Sequence, residues 1–420
     1  MELREVRLLG LFYISHFFST ALNATEAIWV VYMMSKGFTF TQIGLNFAVF
    51  AISRFIFEVP TGAVADVFGR KLSTVLGWVF TGVLFFMLPF IDSFSTWIVI
   101  VFLSAIPYTM ISGASDAWAV DWLKRKGASE LAKNYFANIE TIRNLSFAIA
   151  GVVGTVLLSY FSMDSIFYAV AVGFILAGGI LVFQEEYFRK AKTAFKSQVL
   201  NSLHGSTSGL KLTWADKNLR YLTLSTFFLS LSAVGWVAWE PLFLQTGIEL
   251  RYFPLIMTAA FLFSSFASFF SKRIVLRFKD EKKYLIVTSF LMSVSHILAF
   301  IIVGPIAAVT FFILKNGFFS FRYPVKQDLL HELIPSKLRA TLASVDSMYD
   351  AFSVAIAAVF GGLILDNVGV TETLLAAGLL MLPSALLSGM LSLKAKGAHN
   401  PDIGPAELKD AKVKRISPKD

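Results

Sequence analysis

Twelve apolar stretches, each long enough to cross a hydrocarbon layer, constrain this chain more than any other feature. Bounded by polar residues or Gly/Pro punctuation, they fall at about residues 8–34, 41–61, 72–91, 95–121, 135–160, 164–184, 220–246, 252–271, 284–303, 305–325, 341–365 and 372–393. A bilayer core takes about 20 apolar residues per helix, so 420 residues with twelve spans keep short loops. Composition agrees: 56% apolar and 15% charged side chains, with a mean hydropathy of +0.67, exclude a soluble enzyme and a disordered chain. The expected fold is an all-α membrane protein. A cleaved signal peptide is not expected, because the first run is longer than a signal h-region and eleven more follow it.

Zero cysteines exclude disulfides, iron–sulfur clusters and thiolate zinc sites. Five scattered histidines without an HExxH pair give no metal cluster, and no GxxxxGK[ST] run implies a nucleotide. Neither a metal nor a cofactor is expected. A net charge of +9 would suggest nucleic acid only if it formed a basic face on a soluble domain; here the basic residues sit between apolar runs.

Those basic residues set the orientation. With the N-terminus inside, 31 of the 37 Lys and Arg fall in cytoplasmic segments, Lys36 and Arg251 fall outside, and Arg54, Arg143, Lys315 and Arg322 lie within spans. Both termini are therefore expected in the cytoplasm of a cell whose membrane holds the chain. The longest connection divides the chain into a six-helix half at 1–184, a linker at 185–219, a second six-helix half at 220–393 and a basic tail at 394–420. Within the linker Phe188, Ala191, Phe195, Val199 and Leu203 recur at helical spacing opposite Arg189, Lys190, Lys192 and Lys196. That pattern fits a helix lying on an anionic leaflet, or a basic solvated linker. A shift of 210 residues places Gly37 on Gly247, Trp29 on Trp239, Glu140 on Asp350 and Phe68 on Phe278, as a duplicated fold would.

After the second span the chain reads Gly62-Ala-Val-Ala-Asp66-Val-Phe-Gly69-Arg70-Lys71. The two glycines allow close helix approach and a tight turn. Asp66 can cap the third helix or accept from Arg70. This segment resembles the G-x-x-x-D-x-x-G-R-K/R loop of the major facilitator superfamily, at its usual place. The resemblance implies twelve transmembrane helices in two pseudo-symmetric halves. It also implies an inner-gate latch in which Arg70 meets Asp121 at the end of the fourth span, closing the inner side when the cavity faces outward. The matching segment of the second half, Lys272 to Asp280, lacks both glycines, so a symmetric second latch is not expected. An arginine that many proton-driven exporters of the family carry farther up the fourth span is missing.

Charge at membrane depth is costly and marks function. Eight acids, Glu26, Glu58, Asp116, Asp121, Glu140, Glu240, Asp346 and Asp350, face four bases, Arg54, Arg143, Lys315 and Arg322. The acid excess favours proton coupling. Spacing suggests an intrahelical brace between Arg54 and Glu58, a pair between Asp116 and Arg143 with Glu140 one turn below, and a meeting of Arg322 with Asp346 and Asp350. Glu26 and Glu240 lie on the equivalent first helices of the two halves, with no base near in sequence. Each is read as a proton carrier, a contact for a cationic substrate group, or a carboxylate at the wet outer rim. Lys315, followed by Asn316-Gly317 where the backbone can loosen, is read as deprotonated, paired with an acid such as Asp350, or aimed at an anion. His16 and His296 are read as packed and neutral.

The function this implies is a proton-coupled secondary transporter, exporting hydrophobic or amphipathic compounds by antiport through alternating access, as a monomer in the bilayer. Proton symport for uptake of a small metabolite is the alternative within that class. A transport-inactive membrane sensor signalling through the basic tail is the alternative outside it. An enzyme is not expected, since no nucleophile and base constellation is visible.

Overall fold

The computed structural model describes residues 3–187, 213–278, 280–333 and 339–392. The linker helix and the basic tail inferred above lie mainly outside the described residues. In chain order the α-helices are α1 Leu3–Ala21, α2 Trp29–Ser35, α3 Phe40–Phe68, α4 Arg70–Met87, α5 Phe94–Ile111, α6 Ala114–Arg125, α7 Ala132–Tyr160 and α8 Asp164–Val182. They continue with α9 Lys217–Ser230, α10 Trp236–Gln245, α11 Phe253–Phe278, α12 Glu281–Ile301, α13 Pro305–Leu333, α14 Arg339–Asn367 and α15 Val370–Gly389. No strand occurs among the described residues.

Ten of the resulting passes are long and apolar enough to cross a membrane. Two more, α1 with α2 and α13, run through the same bundle. The first carries Arg4, Glu5 and Arg7, and the second carries Lys315, Asn316 and Arg322, which lowers their hydropathy. Together they make twelve passes through the bundle among the described residues.

Three of the twelve apolar runs are broken rather than straight. The first stops at Ala21, where Asn23 Oδ1 accepts from Thr25 N–H at 3.3 Å and from its hydroxyl at 2.6 Å, competing with the helical ladder. It restarts at Trp29 after a 3-10 turn over Thr25–Ala27. The seventh breaks at the equivalent place, a 3-10 turn over Leu231–Gly235 between α9 and α10. After α2 and α10 the chain turns at Gly37 and Gly247, with φ of 80° and 81°. These two glycines are a pair of the 210-residue repeat, held at the same left-handed stop that other residues adopt at a cost. The fourth run breaks at Gly113, φ 71°, separating α5 from α6.

Helices α1, α3, α4, α5, α7 and α8 pack among themselves, as do α9 and α11 to α15, and the two sets meet where α3 lies along α14 and α7 along α11. At these seams small residues let backbones touch. A Cβ on Gly44 would stand 2.1 Å from the Ala358 carbonyl oxygen, one on Gly362 2.2 Å from that of Phe40, and one on Gly151 1.9 Å from Thr258 Oγ1. All three contacts lie from mid-height toward the face opposite the one bearing Arg70, Lys71, Lys124 and Arg125. We call these the opposite face and the basic face.

Candidate functional site

Of the exposed apolar residues of α3, Leu45, Ile52 and Ile56 share one face, the lipid-facing stripe. Arg54 and Glu58 each stand two positions from a member of that stripe, about 200° around the helix. They point into the bundle, and both are exposed. On α7 the lipid stripe is Leu145, Ile149, Val152 and Val156, and the exposed Glu140 and Arg143 lie on the other side. Asp350 is placed likewise against Phe352, Phe360 and Leu363 on α14. Charged side chains that are exposed yet turned from lipid define a central cavity open toward the basic face.

The cavity is sealed at the opposite face by carboxylates that cross between the two helix sets. Glu240, buried on α10, accepts from Val31 N–H in the first turn of α2 at 2.9 Å. First-turn N–H groups have no acceptor within their own helix, and the helix dipole favours an anion there. Asp366, at the end of α14, does the same for α3, accepting from Phe40 N–H at 2.9 Å, Thr41 N–H at 2.8 Å and the Thr41 hydroxyl at 2.6 Å. Thr258 of α11 donates to the Phe147 carbonyl of α7 at 3.1 Å, and the Phe147 and Phe261 rings stack at 4.4 Å. Glu26, by contrast, is exposed in a narrow cleft beside Phe147, Gly151, Pro254, Thr258 and Phe261. The two acids that sequence treats as equivalents occupy different surroundings.

At the basic face Arg70 meets Asp121, as the family resemblance implied, and donates also to the Ala117 carbonyl at 2.9 Å. Lys124 stands 3.5 Å from Asp121. Asp66 neither caps α4 nor accepts from Arg70. The start of α4 is held instead by Glu186, which follows α8 and accepts from Lys71 N–H at 3.0 Å, while Lys71 Nζ donates to the Val182 carbonyl at 2.7 Å. Gly69 turns the chain at φ 106°, but Gly62 faces open space and makes no close approach. Asp66, Arg70, Asp121 and Glu186 share a pocket of about 490 Å³ with Trp118 and Trp122.

The intramembrane pairs depart from sequence spacing in several places. Arg54 and Glu58 form no brace; the Arg54 guanidinium lies 4.4 Å from the Tyr108 ring centroid and 5.9 Å from that of Phe50. Arg143 pairs with Glu140 one turn away at 2.5 Å rather than with Asp116, which accepts from the Tyr135 hydroxyl at 2.9 Å. Both members of the Arg143–Glu140 pair are about half exposed. Arg322, buried, donates to Ser289 Oγ at 2.9 Å and Ser225 Oγ at 2.7 Å, and Ser225 is in turn bound to Ser384 and Ser388. Asp350 accepts from the Ser230 hydroxyl. The side chain of Asp346 lies outside the described residues.

Lys315 is not paired with Asp350. It is buried on α13 with Nζ 4.9 Å from the Phe312 centroid and 5.7 Å from that of Trp239. The helix runs unbroken through Asn316 and Gly317, whose missing side chain accommodates the Phe263 ring. His296 packs on Trp239 with Nδ1 3.0 Å from the Met292 carbonyl, and His16 is half-buried, edge-on to Trp78.

Sequence reasoning missed three acids. Asp366 falls just past the eleventh apolar run, although Thr39 and Gln42 form a capping box that marks where α3 begins and hence where an acceptor is wanted. Glu186 carried no signal. Glu5, ahead of the first apolar run, is buried and accepts from the Tyr13 hydroxyl at 2.6 Å and Asn138 Nδ2 at 2.5 Å.

Comparison with known proteins bears on this arrangement. The sequence profile of the Major Facilitator Superfamily matches residues 9–314 and 237–417. The chain is 23% identical over 380 residues to the uncharacterized MFS-type transporter YxaM of Bacillus subtilis, covering 87% of this chain and 91% of that one. It is also 23% identical over 141 residues to the uncharacterized MFS-type transporter MJ1560 of Methanocaldococcus jannaschii, covering 34% and 36% of the two. Among solved structures, a point mutant of the nucleoside transporter NupG superposes with a TM-score of 0.73 at 15% identity, covering 91% of this chain and 98% of that one. A bacterial homolog of the human lysosomal transporter Spinster, inward-facing and unoccupied, gives 0.70 at 14%, covering 92% and 96%. The D-xylose–proton symporter gives 0.67 at 14%, covering 93% and 98%. With its profile match across both halves, its paired broken helices and its Arg70–Asp121 contact after the second span, this chain belongs to the major facilitator superfamily and is a membrane transporter.

Proposed function

We propose that this transporter is proton-coupled and exports hydrophobic or amphipathic small molecules by antiport. The basic face is the cytoplasmic one, with both termini there in a cell membrane, and the cavity faces inward. The chain works as a monomer. The observation that carries this reading is the buried Glu240 carboxylate on α10 accepting from Val31 N–H of α2, across the two halves and on the closed side of the cavity.

An ionised carboxylate binds backbone N–H groups more strongly than a neutral carboxyl does. A proton on Glu240 therefore weakens the cap on α2 and favours parting of the halves on the outer side, so that occupancy and gate position are linked. A proton on Glu240 and a substrate in the cavity favour opposite gate positions, so the two move in opposite directions. The Arg70–Asp121 contact, formed while the cavity faces inward and with Asp66 beside it, braces the inner face of the first half rather than joining it to the second.

The test is Glu240→Gln in proteoliposomes. Exchange of a substrate down its own gradient should survive, while accumulation driven by an imposed proton gradient should be lost, together with proton release on ligand addition in detergent. A variant that still accumulates substrate and releases protons like the parent would transfer the role to Glu26, Glu140 or Asp350. Net uptake with an inward proton gradient would replace antiport by symport, and ligand binding with no flux at all would favour a sensor.

A further inference from the structure

Of the described charged side chains turned into the cavity, Arg54 is a cation without a carboxylate partner. Arg143 has Glu140 at 2.5 Å, and Arg70 has Asp121. Arg54 has no carboxylate within 4.0 Å and no hydrogen bond among the described residues, although Glu58 is one turn away on the same helix face. It is the middle residue of α3, at the depth where an uncompensated charge costs most.

What surrounds it is aromatic. The guanidinium carbon lies 4.4 Å from the centroid of Tyr108, and Phe50, one turn toward the closed end, meets that ring edge to face at 5.5 Å. A guanidinium resting on a ring keeps its five N–H donors around its rim, in the fork that matches carboxylate, sulfonate or phosphate oxygens. Arg54 is exposed and Tyr108 is 40% exposed, so the rim and part of the ring are reachable from the cavity. The one carboxylate near by in sequence, Glu58, lies one turn toward the basic face. An anion seated on Arg54 with its apolar body along Phe50 extends away from it.

Resting on the transport function proposed above, we propose that Arg54 with Tyr108 and Phe50 forms the head-group site for an amphipathic anion, so that the substrate class is a carboxylate, sulfonate or phosphate attached to an aromatic or aliphatic body. Free amphiphiles and anionic lipid head groups share this chemistry.

The experiment uses purified full-length protein in nanodiscs and probes with one aromatic body and different charge: naphthoate, naphthalenesulfonate, naphthamide and naphthylmethylammonium. The parent should bind the two anions at least about tenfold more tightly than the amide. Arg54→Gln should weaken anion binding by about ten- to hundredfold and leave the amide unchanged. Arg54→Lys should recover part of the loss, and Tyr108→Leu should weaken all the aromatic probes. Because Arg54 is exposed, these variants should melt like the parent, which is checked on the same samples. Equal binding of anion and amide by the parent, binding of neither, or a charge preference that persists in Arg54→Gln would each overturn the site. Adding phosphatidylglycerol to the nanodiscs separates the two sources: competition that disappears in Arg54→Gln supports the site and assigns it to a head group, and no competition supports a free amphiphile. In proteoliposomes, proton-driven movement of the cationic probe but not the anions would overturn the anion site and leave the transport function standing. Anion binding without any coupled flux in the parent would do the reverse.

Discussion

The two ends of the seam between the helix halves are built from different materials. At the closed end, backbones touch through Gly44, Gly362 and Gly151, and carboxylates of the second half cap helix starts of the first. At the open end, near the basic face, charged side chains stand in solvent: Glu58 has no bridging cation among the described residues, and Arg143 pairs only with its own helix neighbour. Both ends are rich in ionisable groups, and Glu240 and Asp366, which join one half to the other, are at the closed end. A gate that must open and close needs contacts that are directional and few, and end caps meet that need. Each is satisfied in one geometry and lost when the helix start moves.

The comparison breaks most sharply at Gly44. In Gly44→Val the new Cβ would fall 2.1 Å from the Ala358 carbonyl oxygen, backbone that cannot rotate away. Forcing α3 from α14 should cost about 3 kcal/mol. Because the chain has no native cysteine, a single Leu242→Cys reporter, buried on α10 beneath the seal, can read the outcome. Its alkylation from the outer side should rise strongly, with a lowered melting temperature. Parent-like labelling and melting would mean that the seam is not what closes this end.

Asp366→Ala should act in the same direction and less. It removes three hydrogen bonds from the start of α3, but the Thr39–Gln42 capping box remains. Losing a cap costs about 1 to 2 kcal/mol, so labelling at Leu242→Cys should rise by an intermediate amount. A larger effect than that of Gly44→Val would make the caps, rather than backbone contact, the principal seal.

Arg143→Ala should do least. Spacing in the sequence suggested a buried partner for Arg143 on the fourth span, whose loss would cost about 3 to 5 kcal/mol. The half-exposed pair with Glu140 is worth under about 1 kcal/mol. A melting temperature close to the parent's is the expected result, and a steep fall would show that the open end is held together by charge after all.

Much of the architecture was legible before any fold was seen. The span count, the equivalence of Gly37 and Gly247, and the meeting of Arg70 with Asp121 all follow from hydropathy, repeat spacing and a loop signature. The partners of the intramembrane charges were not. Arg54 and Glu58 have the spacing of a brace, yet Arg54 turned to a ring on α5. Asp66 has the position of a cap, yet the cap came from Glu186, 115 residues after the amide it serves.

Hydropathy decides which segments enter the bilayer because the transfer of each side chain from water contributes nearly independently, so a running sum over the sequence is a physical quantity. Charge in the loops orients the chain for the same reason, and a glycine at positive φ is a local requirement. The sealing of one end by Glu240 and Asp366, and the uncompensated guanidinium of Arg54, depend on how each helix is rotated about its axis and where it crosses its neighbours. Those quantities are set by all the packing contacts of a helix at once, and only the tertiary structure fixes them.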